Sequence, residues 1–293
     1  MRAMVTCKRN VRGTKWLHLP GREAFRMDNV ARISVETHTD KDGRAVRWLI
    51  FDNPARKNAL NERMWNELPK LVKSAAVDPA VRAVVLAGAG SAAFSAGADI
   101  SEFEAMTPLE QHERHKDFIN SGFGALLACP KPTIAMIDGI CFGGGFELAV
   151  CCDFRLASER SRFSIPAAKL GVGYNARWIK PLVNVVGPAK AKEILMTGRV
   201  YDAIAAERMG LLTELVSPDA LRERTEALLS DLLANAPLTM TAAKFCVDTL
   251  SHPVAPVEMC PLDQAVTDCF TSEDYLEGRR AFMEKRAPKF RGE

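Results

Sequence analysis

The sequence predicts an α/β core followed by a helical C-terminal segment, and three observations carry that prediction. Short apolar runs of β type alternate with helix-period stretches up to about residue 187. Beyond that point almost every pattern has helical spacing. The chain has 293 residues, 47% hydrophobic and 26% charged, enough to bury a large core as one domain or two smaller ones. Strands alternating with helices imply parallel pairing and right-handed crossovers.

Two β segments, 33–37 and 46–51, open the fold and are joined by a turn at Asp42 and Gly43. Asn61 caps a helix in which Met64, Leu68, Leu71, Val72 and Ala75 share a face. Pro69 falls inside it, at a position where proline kinks helices. The stretch VRAVVLAGAG (81–90) is a buried strand running into a glycine turn. In AFSAGADISEF (93–103) a strand leads through small residues to a helix opened by Asp99. A helix over 106–130 is stopped by Pro130, and KPTIAMIDG (131–139) is another buried strand. CFGGGFELAV (141–150) is a glycine turn followed by a helix to about Cys152, and DFRLA (153–157) is a short strand. Helices are expected at 187–197, 202–209, 218–235, 237–250 and 258–286. These last are too few to enclose a core, so they are expected to pack on the preceding unit or on a neighbouring subunit. The organisation read from this is a flexible extension (1–28), a core (29–217) and a C-terminal helical region (218–293).

Composition excludes several classes of function. A net charge of +3 without a basic stripe argues against a nucleic-acid partner. No apolar run approaches the ~20 residues that span a bilayer, so no membrane partner is expected. The eight cysteines show no CxxC spacing and several sit in apolar segments, which reads as reduced core thiols in a reducing compartment. A cytoplasmic location is expected, or the mitochondrial matrix in a eukaryote. Residues 1–22 carry six basic residues and no acid, a hint of a transit peptide. Little serine and no amphipathic period favour instead a disordered tail or an over-long reading frame, with Met27 as an alternative start.

The adjacent Gly143, Gly144 and Gly145 need an explanation, because glycine is costly to order. Glycine lets an oxygen approach the backbone, and a helix N-terminus presents unsatisfied N–H groups and partial positive charge. The turn in 93–103 has the same grammar. Two such turns facing each other place two donors on one oxygen, an oxyanion hole. Either turn alone is better read as a tight connection that needs small residues.

At this point five stretches carry a resemblance: NPARKNALN (53–61), AFSAGADI (93–100), IDGICFGGGFELAVCCDFRLAS (137–158), FSIPAAKLGV (163–172) and FMEKRAPKF (282–290). Together, in this order and spacing, they resemble the enoyl-CoA hydratase/isomerase, or crotonase, superfamily over about residues 30–290. The resemblance implies a crotonase (ClpP-like) spiral of ββα units with a C-terminal helical trimerisation region. It implies an acyl-CoA thioester substrate, a homotrimer or dimer of trimers, and no cofactor other than the coenzyme A of the substrate. By position, the oxyanion donors are the amides of Ala98 and Gly144. Arg56, Lys57 and Ala59 lie along the CoA, and the backbone near Ala96, Asp99 and Ile100 borders the adenine. Lys285 and Lys289 either reach a neighbour's CoA or are ordinary surface lysines. Glu147 matches the first of the hydratase's two catalytic glutamates.

The pattern then breaks. Ala167 stands where the family's second glutamate follows the proline of FSIP. Tyr174, Arg177 and Trp178 replace the proline and paired glycines often found along the pocket wall, which makes the pocket bulkier. Tyr174 falls where family decarboxylases carry a tyrosine that orients the thioester-bound carboxylate, yet Ala98 replaces their oxyanion histidine. Hydration, decarboxylation through Tyr174, and a one-base isomerisation through Glu147 all stay open. So does a silent acyl-CoA-binding protein. His115, Phe103 and Met106 are secondary candidates, better read as a solvated face and core.

Overall fold

A computed structural model describes residues 30–103, 107, 110, 120–251, 267, 270–286 and 288. Strands β1 (Arg32–Thr39) and β2 (Ala45–Asp52) form an antiparallel hairpin, longer than predicted by a residue or more at each strand end. Helix α1 (Glu62–Val77) begins where Asn61 accepts a hydrogen bond from Met64 N, and it continues through Pro69. Its predicted face is buried except for the half-buried Leu71, with Trp65 added to it.

Three successive units then repeat one plan. Each sends a first strand into a six-stranded sheet and a second, shorter strand into a four-stranded sheet. The pairs are β3 (Val81–Gly88) with β4 (Ala93–Ser95), β5 (Thr133–Ile137) with β6 (Ile140–Phe142), and β7 (Phe154–Ser158) with β8 (Arg162–Ser164). Helix α2 (120–127) precedes β5, α3 (Gly144–Val150) follows β6 and α4 (Ala167–Leu170) follows β8. This is the expected ββα spiral. The larger sheet runs β1-β2-β3-β5-β7-β10 and the smaller β4-β6-β8-β9, with β9 (Tyr201–Asp202) and β10 (Glu214–Val216) contributed later.

Strand β3 shows why these runs are apolar throughout. Val84 and Leu86 face the main core, while Ala83, Val85 and Ala87 face the opposite layer with Val46, Trp48, Ile134 and Leu156. That layer is closed by Leu221, Leu229, Leu232 and Leu233 of α7 (Leu221–Ala234). A strand covered on both faces loses the period-2 alternation that marks a half-exposed one.

Several expectations need correction. The turn after β4 leads into a 3-10 turn, Ile100–Phe103, and not directly into an α-helix, because the Asp99 carboxylate accepts from both N and Oγ of Ser101. The segment beyond 187 is not almost wholly helical, since β9 and β10 lie in it. The helix placed at 187–197 is the second half of α5 (Ala176–Thr197), which bends at Gly187, where φ is 74°. Helices α6 (Ala203–Arg208), α7 and α8 (Pro237–Leu250) fall where they were expected. Of the 258–286 helix, the structure describes α9 (Glu273–Met283).

Helix α9 docks on α4 through close backbone approach. A Cβ on Gly278 would stand 2.4 Å from the Leu170 carbonyl oxygen. Replacing Gly278 with alanine must therefore push the two elements apart, at a cost of about 1–3 kcal/mol. A lowered thermal midpoint for Gly278→Ala, together with faster hydrogen exchange in α9, is the expected result.

Candidate active site

The smaller sheet builds the site. Its strands β4, β6 and β8 run parallel, so their carboxyl ends lie side by side. The loops leaving them, at 96–99, 143–144 and 165–167, therefore share one edge, and Gly143 N bonds Ser164 O at 2.9 Å. Ligands of parallel sheets commonly bind beyond such carboxyl ends.

The backbone explains the glycines. Gly143 takes φ 51° and ψ −125° as the N-cap of α3, a conformation that side chains disfavour. A Cβ on Gly145 would lie 2.7 Å from the Ser95 oxygen, and one on Gly144 would lie 3.0 Å from the Trp65 ring. Gly144 is the first residue of α3, so its N–H has no intrahelical acceptor. Ala98 forms an isolated bridge with Leu60, whose hydrogen bonds use Gly97 O and Asp99 N. Ala98's own N–H thus faces away from Leu60. Neither amide donates in the hydrogen bonds found among the described residues. The two residues are neighbours: a Cβ on Gly144 would be 3.8 Å from Ala98 N, and one on Gly97 would be 2.9 Å from Gly144 N. Both line a cavity of about 150 Å³.

A second loop fixes the turn that follows β4. Buried Asn58 donates to Ala89 O and Ala93 O and accepts from Asn53 N. Ala96 N bonds Lys57 O, and Leu60 N bonds Gly97 O. Residues 53–61 and 93–100 are therefore strapped together. Ala96 and Ile100 line the cavity. Arg56 is exposed and lies 3.7 Å from Asp99, Lys57 is exposed with φ 53°, and Ala59 is buried behind them. Lys285 is exposed beyond α9, three residues from Phe282, which lines the cavity. Lys289, Met106, His115 and the side chain of Phe103 lie outside the described residues.

Glu147 sits in α3 with its carboxyl buried and both oxygens without a hydrogen-bond partner. Burial pushes its pKa well above the ordinary range, so the neutral acid is favoured. It is not among the described residues that line the cavity. It lies close enough to Tyr174 that its charge adds to the burial pushing that phenol up. Tyr174 does line the cavity, as do Ala167 and Trp178. The Tyr174 and Trp178 rings meet edge-on at 5.5 Å, Trp178 meets Phe123 at 6.0 Å, and Phe123 meets Trp65 at 5.6 Å. This aromatic wall runs back to the Trp65 ring beside Gly144. Arg177 is a correction: it is exposed and borders a separate cleft. The sequence reading missed the α9 face that closes the cavity, Tyr275, Arg279 and Phe282. Their i, i+4, i+7 spacing was the available signal.

The match to known proteins agrees with this geometry. A family model described as enoyl-CoA hydratase/isomerase matches residues 42–293. The chain belongs to the enoyl-CoA hydratase/isomerase family, and it is an enzyme of that family. A probable enoyl-CoA hydratase of Mycobacterium leprae is 34% identical over 242 residues, covering 83% of this chain and 93% of its own. The crotonyl-CoA hydratase of Syntrophomonas wolfei is 32% identical over 250 residues, again covering 83% and 93%. Among solved structures, a methylmalonyl-CoA decarboxylase in complex with 2-nitronate-propionyl-CoA superposes with a TM-score of 0.79 at 29% identity, covering 90% of this chain and 100% of its own.

Burial of Glu147 has a pH signature. The folded state holds this proton more tightly than the unfolded chain, where the group titrates near its ordinary value of 4.5. The stability it contributes is intact below that value and is lost as pH rises towards the raised folded value. Glu147→Gln cannot ionise and escapes this loss. Its melting temperature relative to the wild type should therefore rise between about pH 5 and about pH 8. An offset that stays constant across that range would show a normally titrating Glu147.

Proposed function

We propose that the chain binds a short acyl-CoA thioester and stabilises its enolate, in a hydratase-like lyase reaction. The observation that carries this reading is the pair of neighbouring residues Ala98 and Gly144, which both line one cavity and whose amides donate no hydrogen bond found among the described residues. As water adds across the Cα–Cβ double bond, negative charge grows on the thioester oxygen. Preorganised donors there are each worth roughly 3–4 kcal/mol in the transition state. The hydroxyl goes to Cβ and a proton to Cα, and the enolate collapses to the saturated thioester. Glu147, which burial favours in its neutral form, gives its proton to Cα and takes back the proton that the attacking water sheds. Ala167 leaves one carboxyl where two would clamp the water, so hydration is expected to be slow. Coenzyme A enters as part of the substrate and not as a resident cofactor, with its phosphates beside Arg56 and Lys57 and its adenine beside Ala96, Asp99 and Ile100.

A second reading is decarboxylation, and one observation favours it: Tyr174, not Glu147, is the titratable member of this pair that lines the cavity. Hydration is tested with crotonyl-CoA by following loss of the enoyl absorbance. Glu147→Gln should slow it by roughly 10²–10⁴-fold, while Ala167→Glu should speed it. Undiminished turnover in Glu147→Gln removes that residue from the mechanism. If wild type instead releases carbon dioxide from methylmalonyl-CoA and Tyr174→Phe does not, the second reading replaces the first.

A trimer, or a dimer of trimers, is proposed for the assembly. Helix α8 leaves Leu238 85%, Phe245 69% and Val247 62% exposed, beside a cleft of about 810 Å³. Exposed apolar faces of this kind mark interaction surfaces. Four buried thiols, Cys129, Cys141, Cys151 and Cys152, suit a reducing compartment such as the cytoplasm or the mitochondrial matrix. Sedimentation should give a trimer or hexamer mass for the wild type and a smaller mass for Phe245→Glu. A monomeric wild type would contradict the assembly.

A further inference from the structure

Among the described residues that line the cavity, Arg279 is the only charged one. The other lining side chains are aliphatic or aromatic, and two of them, Tyr174 and Tyr275, bring a phenol. Arg279 is partly buried, and the Tyr275 hydroxyl hydrogen-bonds it. Its guanidinium carbon also stands 5.8 Å from the Tyr275 ring centroid. Tyr275 is fully buried and packed against Phe270 at 5.0 Å, so the group that holds the guanidinium is itself fixed. A cation held at the wall of an apolar pocket is poorly matched to a hydrocarbon chain, which offers it no acceptor. It is well matched to a carboxylate, which guanidinium can bind through two parallel N–H donors.

The amides and the guanidinium reach the cavity from different elements. Its thioester end is set by the amides of Ala98 and Gly144, on loops that follow β4 and β6. Arg279 comes from α9, which docks on α4 through Gly278. The atoms nearest a Cβ on Gly144 belong to Trp65 and Ala98, and none belongs to α9. A volume of about 150 Å³ suits a small guest, since a cavity of that order takes up a molecule of benzene's size.

We propose that Arg279 is a specificity-determining residue that selects short acyl groups whose far end carries a carboxylate, making a dicarboxylic acyl thioester the preferred substrate. The proposal rests on the acyl-CoA reading of the site. Discrimination of this kind is strong, because a site built for a polar partner rejects the analogue that lacks it. The tyrosines do not oppose the anion, since burial keeps both phenols neutral, Tyr275 with a pKa pushed up to about 12.

The test is calorimetric binding of glutaryl-CoA and pentanoyl-CoA, which share a carbon count and differ in the terminal carboxylate. Wild type should bind glutaryl-CoA about tenfold more tightly. Arg279→Met should collapse that ratio to about one, and Arg279→Lys should restore part of it. Equal affinities in the wild type would overturn the proposal and leave the acyl-CoA reading standing. A preference that survives in Arg279→Met would also overturn it. So would an Arg279→Met variant that weakens both ligands by the same factor, which would place the guanidinium on the CoA moiety. If wild type binds neither thioester, the acyl-CoA reading falls and the proposal falls with it.

Discussion

Parallel pairing of three very short strands is the constraint on which the rest depends. β4, β6 and β8 contribute three residues each, yet their shared direction puts three loops on one edge. The first loop supplies Ala98, the second Gly144 and the third Ala167. Strands this short cannot hold themselves together. They are held because each continues from a longer strand of the larger sheet, whose two faces are buried between the main core and α7. The close approach of the first two loops then depends on residues without side chains: a Cβ on Gly97 or Gly144 would press on the other loop or on Trp65. The glycines are thus a packing requirement, and the same closeness brings Ala98 and Gly144, whose amides donate no hydrogen bond found among the described residues, to one cavity.

Electrostatics divides the site's labour. The amide end is polar through backbone alone and carries no formal charge. Glu147 is not among the described residues that line the cavity but lies close to Tyr174, which is, and burial without a hydrogen-bond partner favours its neutral form. A second carboxyl at 167 would add repulsion and raise the cost of ionising either group. Alanine there removes that coupling and leaves the wall apolar. The cavity's one cationic side chain among the described residues then comes from far along the sequence, at the C-terminal helix. The C-terminal region is therefore part of the pocket.

Much of this was legible in the sequence, and what was not has physical causes. Long buried strands such as β3 declare themselves by continuous apolar runs, and Asn61 announces α1 by its capping geometry. The adjacent Gly143, Gly144 and Gly145 marked the turn that the site depends on. Strands of two or three residues, β6, β8, β9 and β10, carry too little pattern to be read, so of the smaller sheet that builds the site only β4 was legible. The first half of α5 was hidden by Pro181 and by Gly187, where the helix bends. Arg177 and Tyr174 look alike as neighbours in sequence. Tyr174 nevertheless precedes the Asn175 cap of α5 and lines the cavity, while Arg177, in the first turn of that helix, borders a separate cleft. Arg279 escaped notice because a charge in a surface-like helix signals solvent, and only the docking of α9 on α4 turns it towards the pocket.

The central claim is that Ala98 and Gly144 hold one thioester oxygen between them. A crystal structure of the protein with bound pentanoyl-CoA tests it directly. The account predicts that the thioester oxygen lies about 2.7–3.1 Å from both amide nitrogens, with the acyl chain running towards α9. A carbonyl turned away from either nitrogen, or a thioester seated outside this cavity, would contradict it.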